Sequence, residues 1–320
     1  MSETNKNRMY LVIAFLAGIA IAALVFFLWM RQHPGAAQQA RPAGAGSGGQ
    51  IDLAETFPSW NADSASLKEL VDFVAAATDE KSPDYLEPAD RIAVFDMDGT
   101  ILCEKAPVYI DYCLTMYRVL DDPEYKAIAE EQAAMQQVRD HAYSEGATFH
   151  PEGITKDDLV ASAFAGMTPE EFRDYVVDFA DHTEAVGFEG MTYGESFYKP
   201  MIEVVKFLQA SDFDVWIVSA CEREIGKRPV LAFGNSSGDY SMLNYAEGNP
   251  DHTGMGFFVV CDDTGREYGS DEKVAEYYDE VEKEGWTPFS MADDWKTIYG
   301  DDVEKTGLPG AEAEELPNAS

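Results

Sequence analysis

The 320-residue chain has little cysteine, little histidine and a shortage of positive charge. Its four cysteines are scattered and form no CxxC pair, which argues against a disulfide scaffold or a zinc site. The five histidines are isolated, without the HxH or HExxH spacing of metal enzymes. Only 23 Lys and Arg oppose 59 Asp and Glu, a net charge of -36. Such a chain repels phosphate backbones, so we expect no nucleic-acid partner.

One long stretch near the N-terminus has no charge. Met9 to Met30 would extend about 33 Å as a helix, enough to cross a bilayer. We predict a short tail at 1–8, a transmembrane anchor at 9–30 and a flexible linker at 31–50, with the rest of the chain outside the cytoplasm. A cleaved signal peptide is the alternative, because Ala43-Gly44-Ala45 fits a cleavage site.

From Ile51 onward the sequence alternates between helical and strand signals. Four short apolar runs are typical of buried parallel strands, so we predict an α/β fold. The runs are Ile92 to Phe95, Val215 to Val218, Val230 to Phe233 and Phe257 to Val260.

Residues 121–187 carry mainly helix signals. Asp122-Pro123 predicts the start of a helix that runs to Gly146. Thr155 and Thr168 each stand three residues before an acid, the pattern of a helix N-cap. This region is therefore predicted to be a helical insertion between the first two strands.

Two carboxylates follow the first predicted strand, in the segment Asp96-Met97-Asp98-Gly99-Thr100. Ligands bind at strand ends in open α/β sheets. One carboxylate can attack phosphorus, and the second can protonate the leaving oxygen and then activate water. Gly99 allows the backbone to approach a phosphate, which exposed amides can bind.

With its DxDGT segment, the sequence resembles the haloacid dehalogenase superfamily, in the branch of phosphoserine and phosphorylcholine phosphatases. The resemblance implies a Rossmann-like parallel sheet with a helical cap after the first strand. It further implies that Asp96 is the nucleophile, Asp98 the general acid/base, Gly99 and Thr100 phosphate-binding residues, and Mg²⁺ the cofactor. The domains expected are a core at 51–104 and 198–300, a cap at 105–197 and an acidic tail at 301–320.

Two further family motifs are recognisable. Val215 to Ser219 matches an apolar strand ending in Ser, which implies that Ser219 and the amide of Ala220 bind phosphate. Phe233 to Asp239 resembles the metal motif, with Asn235 at the place of the usual first acid and Asp239 at the second. Asp96, Asp98, Asn235 and Asp239 are thus the predicted metal residues. The amide brings no charge, so we expect weaker Mg²⁺ binding than in the common form.

The link between these motifs is short. Ala220 to Arg228 is nine residues, which extend to about 30 Å, whereas a parallel crossover needs a dozen or more. We infer that a βα unit is missing, either naturally or through an error in the gene model. That unit carries a phosphate-binding lysine in the family, and Lys227 is the nearest candidate here, with a solvated linker residue as the alternative.

Other acids follow later apolar segments, and we interpret them as ordinary surface acids, with substrate contact as the alternative; they are Asp262, Asp263, Asp293 and Asp294. The function predicted is hydrolysis of a small phosphomonoester through an aspartyl-phosphate. One alternative is an impaired relative that binds metal or a phosphorylated ligand without turnover. Another is an acidic interaction protein, which leaves the ordered motifs unexplained.

Overall fold

A computed structural model describes residues 51–103, 109–145, 151–218 and 227–308. The predicted membrane span at 9–30 lies outside these ranges. Within them, no helix is long and apolar enough to cross a bilayer. The described residues form two compact units. One comprises 51–103, 197–218 and 227–302, and the other comprises 109–145, 151–196 and 303–308.

The first unit contains a parallel sheet of five strands in the order β3-β1-β4-β5-β6. This confirms the predicted α/β class and the parallel sheet. The four predicted strands are present, each shifted by at most two residues. The strands are β1 (Ile92–Phe95), β3 (Asp214–Ile217), β4 (Leu231–Gly234), β5 (Met255–Val260) and β6 (Thr287–Ser290).

Alternate residues of the strands face opposite sides of the sheet. On one side, aromatic rings form a continuous layer. The ring of Phe233 stacks on the rings of Phe95 and Phe257, with distances between ring centroids of 4.1 Å and 5.1 Å. On the other side, Val94, Ala232 and Phe258 belong to a hydrophobic cluster with the helix that follows β4. Burial on both faces explains why these strands are continuous apolar runs in the sequence.

Helices cover the sheet of this unit. Ser64 caps α2 by accepting from the amide of Leu67, and Gly285 ends α9 in the left-handed conformation with φ of 89°. The helices are α1 (Leu53–Thr56), α2 (Ala65–Thr78), α7 (Lys199–Ala210), α8 (Tyr240–Glu247) and α9 (Asp271–Glu284).

Strand β6 was not predicted from the sequence. Proline lacks the amide that a ladder needs and is confined to sheet edges. Strand β6 lies at the edge of the sheet beside β5, with Pro288 opposite Phe258. The edge position reconciles the proline with the strand.

The second unit is mainly helical. It contains α3 (Ile110–Met116), which continues as a π-helix at Tyr117–Asp121, then α4 (Ala129–Glu145), α5 (Lys156–Ala163) and α6 (Pro169–His182). Thr155 caps α5, and Thr168 forms a capping box with Glu171 at α6, so both predicted helix starts are confirmed. A two-stranded sheet pairs β2 (Phe188–Glu189) with β7 (Glu304–Lys305), a strand inside the predicted acidic tail.

The predicted helix start at Asp122-Pro123 is wrong. Helix α4 begins at Ala129, because Asp122 is engaged elsewhere. Its Oδ1 accepts from the amide of Glu124, and its Oδ2 accepts from the Tyr175 hydroxyl and lies 3.6 Å from Nη1 of Arg118. Glu131 instead accepts the amide of Ile128 at the start of the helix. The predicted end at Gly146 lies outside the described residues.

Candidate active site

The predicted catalytic loop begins where β1 ends. The amide of Asp96 donates to the Phe233 carbonyl of β4 at 2.9 Å, so the backbone of this residue is fixed at the carboxyl end of β1. The chain then turns tightly: the amides of Ile101 and Leu102 donate to the Met97 carbonyl. Asp96 and Asp98 are therefore held on a short, ordered turn at the carboxyl end of the interior strand β1, and both are partly exposed.

Gly99 closes this turn. Its φ is 76°, a conformation that residues with a side chain rarely adopt, and its amide donates to the Leu102 carbonyl at 2.7 Å. A glycine is thus required by the backbone at this position, in addition to the close phosphate approach predicted from the sequence. Leu102 in turn forms an antiparallel bridge with Phe197.

Thr100 joins the catalytic loop to the loop after β4. Its side chain is fully buried, and its hydroxyl donates to Oδ1 of Asn235 at 3.3 Å. Strands β1 and β4 are parallel neighbours, so their carboxyl ends lie at one edge of the sheet. The structure therefore brings together the DxDGT segment and the predicted metal motif.

Asp239 fastens the second loop. Its Oδ2 accepts from the amides of Asn235 and Ser236, both at 3.0 Å, and from the Ser236 hydroxyl at 3.1 Å. Gly234 is required beneath it, because a Cβ at this residue would lie 2.4 Å from the Cβ of Asp239. Sequence reasoning did not single out Ser236, although the Ser236-x-x-Asp239 spacing is that of a capping box.

The oxygens at this edge fit a hard divalent cation in kind. Asp96 and Asp98 supply carboxylates and Asn235 supplies an amide oxygen, the donors that Mg²⁺ prefers. Oδ2 of Asp239 is committed to three donors of its own loop, so this oxygen supports the site by holding Asn235 in place. Across the described ranges, no cluster of three or more His, Cys, Asp or Glu is arranged to hold a metal.

Two predicted phosphate-binding residues, Ser219 and Ala220, lie outside the described residues. The preceding residue is described: the amide of Val218 donates to the Phe95 carbonyl at 2.7 Å. Strand β3 pairs with β1 in parallel, so the chain leaves β3 at the edge that carries Asp96.

Lys227 lies elsewhere. Its ammonium group pairs with the Asp90 carboxylate at 2.5 Å and donates to the Ala89 carbonyl at 3.0 Å. Asp90 comes just before β1, whereas Asp96 follows it, so the two ends are separated by the length of the strand, about 13 Å for four residues. This placement does not support the predicted contact between Lys227 and the phosphate and agrees with the linker alternative.

The later acids hold loops. Asp262 accepts from the hydroxyls of Tyr278 and Ser290 and from the amide of Ala292. Asp263 pairs with Arg266, and Asp294 accepts the amide of Ser290. Asp262, Asp263 and Asp294 therefore have structural contacts, which the expectation of ordinary surface acids did not include.

No family model matches the chain, and no curated protein matches it.

Proposed function

We propose that the protein is a Mg²⁺-dependent phosphatase of the haloacid dehalogenase type, hydrolysing a small phosphorylated metabolite such as a phosphoserine-like or phosphocholine-like ester. The observation that carries the proposal is the junction of two loops at one sheet edge. There the Thr100 hydroxyl bonds to Asn235, while Asp239 fixes the backbone around Asn235. An ordinary turn after a strand would not require a second loop, held in place by Asp239, beside it.

In the first step, a carboxylate oxygen of Asp96 attacks phosphorus, and the bond from phosphorus to the ester oxygen breaks. Asp98 donates its proton to that oxygen, so the alcohol leaves neutral. The product is an aspartyl-phosphate on Asp96. The backbone of the Gly99 turn holds both carboxyl groups close to the phosphoryl group.

In the second step, Asp98 takes a proton from water, and the water oxygen attacks phosphorus. The bond between phosphorus and the Asp96 oxygen breaks, which releases inorganic phosphate and restores both carboxyl groups. Asp96, Asp98 and Asn235 would hold Mg²⁺, which supplies positive charge beside the phosphate oxygens.

The finer architecture belongs to the same proposal. The mainly helical unit, which follows β1 in the chain, would act as the cap that selects the substrate. The apolar stretch at 9–30 would anchor the protein in a membrane, with the body outside the cytoplasm. Neither assignment is needed for the chemistry at the sheet edge.

Phosphate release by the full chain in mild detergent tests the proposal. The substrates are an aryl phosphate, phosphoserine and phosphocholine, each with and without Mg²⁺. We expect metal-dependent turnover that Asp96→Asn lowers by about a thousandfold or more. Circular dichroism and melting temperature of Asp96→Asn serve as the folding control. Absence of turnover from a folded wild-type protein would refute the enzyme.

A second candidate function is binding of metal or a phosphorylated ligand without turnover. The position of Lys227 favours it, because a lysine paired with Asp90 leaves the charge of a bound phosphate uncompensated by that group. Calorimetry distinguishes the two functions. Mg²⁺-dependent binding of phosphate or vanadate by a protein that releases no phosphate from the three esters would select the binding domain.

A further inference from the structure

A buried carboxylate lies in the unit that carries the catalytic loop. Glu267 is 1% exposed, and its Oε1 accepts from the amide of Tyr268 at 2.6 Å and from the thiol of Cys103 at 3.5 Å. Its Oε2 accepts from the hydroxyl of Tyr299. A carboxylate is costly to bury and is retained where its hydrogen bonds fix something.

Glu267 holds the end of the catalytic loop through Cys103. Cys103 directly follows Leu102, whose carbonyl accepts from the amide of Gly99 and so closes the turn. The thiol of Cys103 is buried, so its bond to Glu267 restrains the chain as it leaves the loop.

Tyr299 braces the same segment from a second direction. The amide of Tyr198 donates to the Ile101 carbonyl at 2.8 Å, and the Tyr198 ring packs 5.7 Å from the ring of Tyr299. Burial first, and then the charges of Cys103 and Glu267, raise the pKa of Tyr299 well above its ordinary value. Its hydroxyl therefore stays protonated and remains a donor to Glu267.

We propose that Glu267 is a positioning residue of the catalytic loop: it fixes the stem of that loop through Cys103 and Tyr299 and thereby holds Asp98 in place. The proposal rests on the proposed phosphatase function for its kinetic consequence. Its structural consequence, a rigid Gly99 to Leu102 turn, does not.

Two substitutions separate the hydrogen bonds from the charge. Glu267→Gln keeps Oε1 for Cys103 and Tyr268, and its amide can donate to Tyr299 after the hydroxyl turns. Glu267→Ala removes the bonds from Cys103, Tyr268 and Tyr299. We expect Glu267→Ala to lower kcat by about tenfold to a hundredfold with KM little changed, and Glu267→Gln to restore kcat to within about threefold of wild type.

Hydrogen exchange in the full chain gives a readout that needs no activity. The amides of Gly99 and Leu102 should exchange at least about tenfold faster in Glu267→Ala than in wild type. Arg91→Met is the matched control. Arg91 is also buried and charged and donates to backbone carbonyls, but it lies at the opposite end of β1. It should lower the melting temperature without changing exchange in the turn.

The outcomes are distinguishable. If wild type releases no phosphate, the proposed function fails, and faster exchange of the turn in Glu267→Ala still supports the positioning role. Wild-type exchange and wild-type kcat in Glu267→Ala would overturn that role, as would a Glu267→Gln variant impaired as strongly as Glu267→Ala. Should Glu267→Ala not fold, Tyr299→Phe removes only the hydroxyl that donates to Glu267 and is expected to accelerate exchange to a smaller degree; unchanged exchange there would overturn the proposal.

Discussion

The two strands that flank β1 differ in burial. Strand β4 is buried along its whole length, and Phe233 stacks between Phe95 and Phe257. Strand β3, on the other flank of β1, alternates between exposed and half-buried residues, and Trp216 is 39% exposed. Parallel strands are normally covered on both faces, and among the described residues β3 is covered less completely than β4.

Strand β3, the less buried of the two, is the strand that the short link follows in the chain. The predicted absence of a βα unit between Ser219 and Val230 and the exposure of β3 therefore concern the same part of the chain. The chemistry that the described residues can support lies on the β4 side, where Thr100, Asn235 and Asp239 join two loops. The junction of the two loops therefore lies beside the well-buried strand β4, whereas the link predicted to be short leaves the more exposed strand β3.

The largest expected effect compares one aromatic residue from each flank. Phe233→Ala removes a fully buried ring from a packed stack and should cost about 4 kcal/mol of unfolding free energy. Trp216→Ala removes a ring that is partly in water and should cost less than about 1 kcal/mol. Urea unfolding of both variants measures the difference. Equal losses would show that β3 is covered in solution as β4 is.

The next expected effect concerns the close approach beneath the metal motif. Gly234→Ala places a Cβ against the Cβ of Asp239 and should destabilise the protein by about 2 to 3 kcal/mol, with a matching loss of metal-dependent phosphate release. Gly307→Ala is the control, because nothing lies within 4 Å of a Cβ there. A Gly234→Ala protein that matches the control in urea unfolding and activity would contradict the bracing role of Asp239.

The apolar runs predicted four of the five strands of the parallel sheet. The runs at Ile92 and Phe257 are apolar because both faces of the sheet are covered, and such a run needs no knowledge of its neighbours. Strand β6 was missed because tolerance of Pro288 depends on an edge position that only the assembled sheet defines. The start of α4 was misplaced because Asp122 is drawn into contacts with residues distant in sequence, such as Tyr175.

The candidate site was predictable to a similar extent. Asp96 and Asp98 follow a strong strand signal, and the structure places them at the sheet edge. The bonds from Cys103 and Tyr299 to Glu267 join residues that are distant in the sequence, so no local spacing predicts them, whereas the Ser236-x-x-Asp239 spacing could have predicted the local bonds to Oδ2 of Asp239. Lys227 was named from proximity along the chain alone, and the structure places it near Asp90 instead.

A pH-dependent effect is expected on the β3 side, where α7 packs on that strand. Burial raises the pKa of Glu203 on α7 to about 7, although hydrogen bonds from Ser59 and the charges of Lys206 and Lys199 oppose the shift. The folded protein therefore holds this proton more tightly than the unfolded chain. The associated stability is full below pH 4.5, the ordinary pKa, and is lost as the pH rises through 7.

Glu203→Gln should remove this dependence. After allowance for solvent screening of a half-buried group, we expect the wild type to lose about 2 kcal/mol relative to the variant between pH 4.5 and pH 8. Urea unfolding at several pH values measures it, with the exposed Glu80→Gln as control. Parallel curves for wild type and Glu203→Gln would show that Glu203 keeps an ordinary pKa.

The smallest expected effect is on the bond that joins the two loops on the β4 side. Thr100→Val keeps the shape of a fully buried side chain and removes the hydroxyl that donates to Asn235, so it should cost about 1 kcal/mol. Thr100→Ser keeps the hydroxyl and should retain Mg²⁺ affinity, whereas Thr100→Val should weaken it several-fold because Asn235 loses a partner that orients its amide. Calorimetric titration with Mg²⁺ measures both. If Thr100→Val binds Mg²⁺ as wild type does while Thr100→Ser does not, the hydroxyl is irrelevant to the junction, and Thr100 contributes there only through the packing of its methyl group.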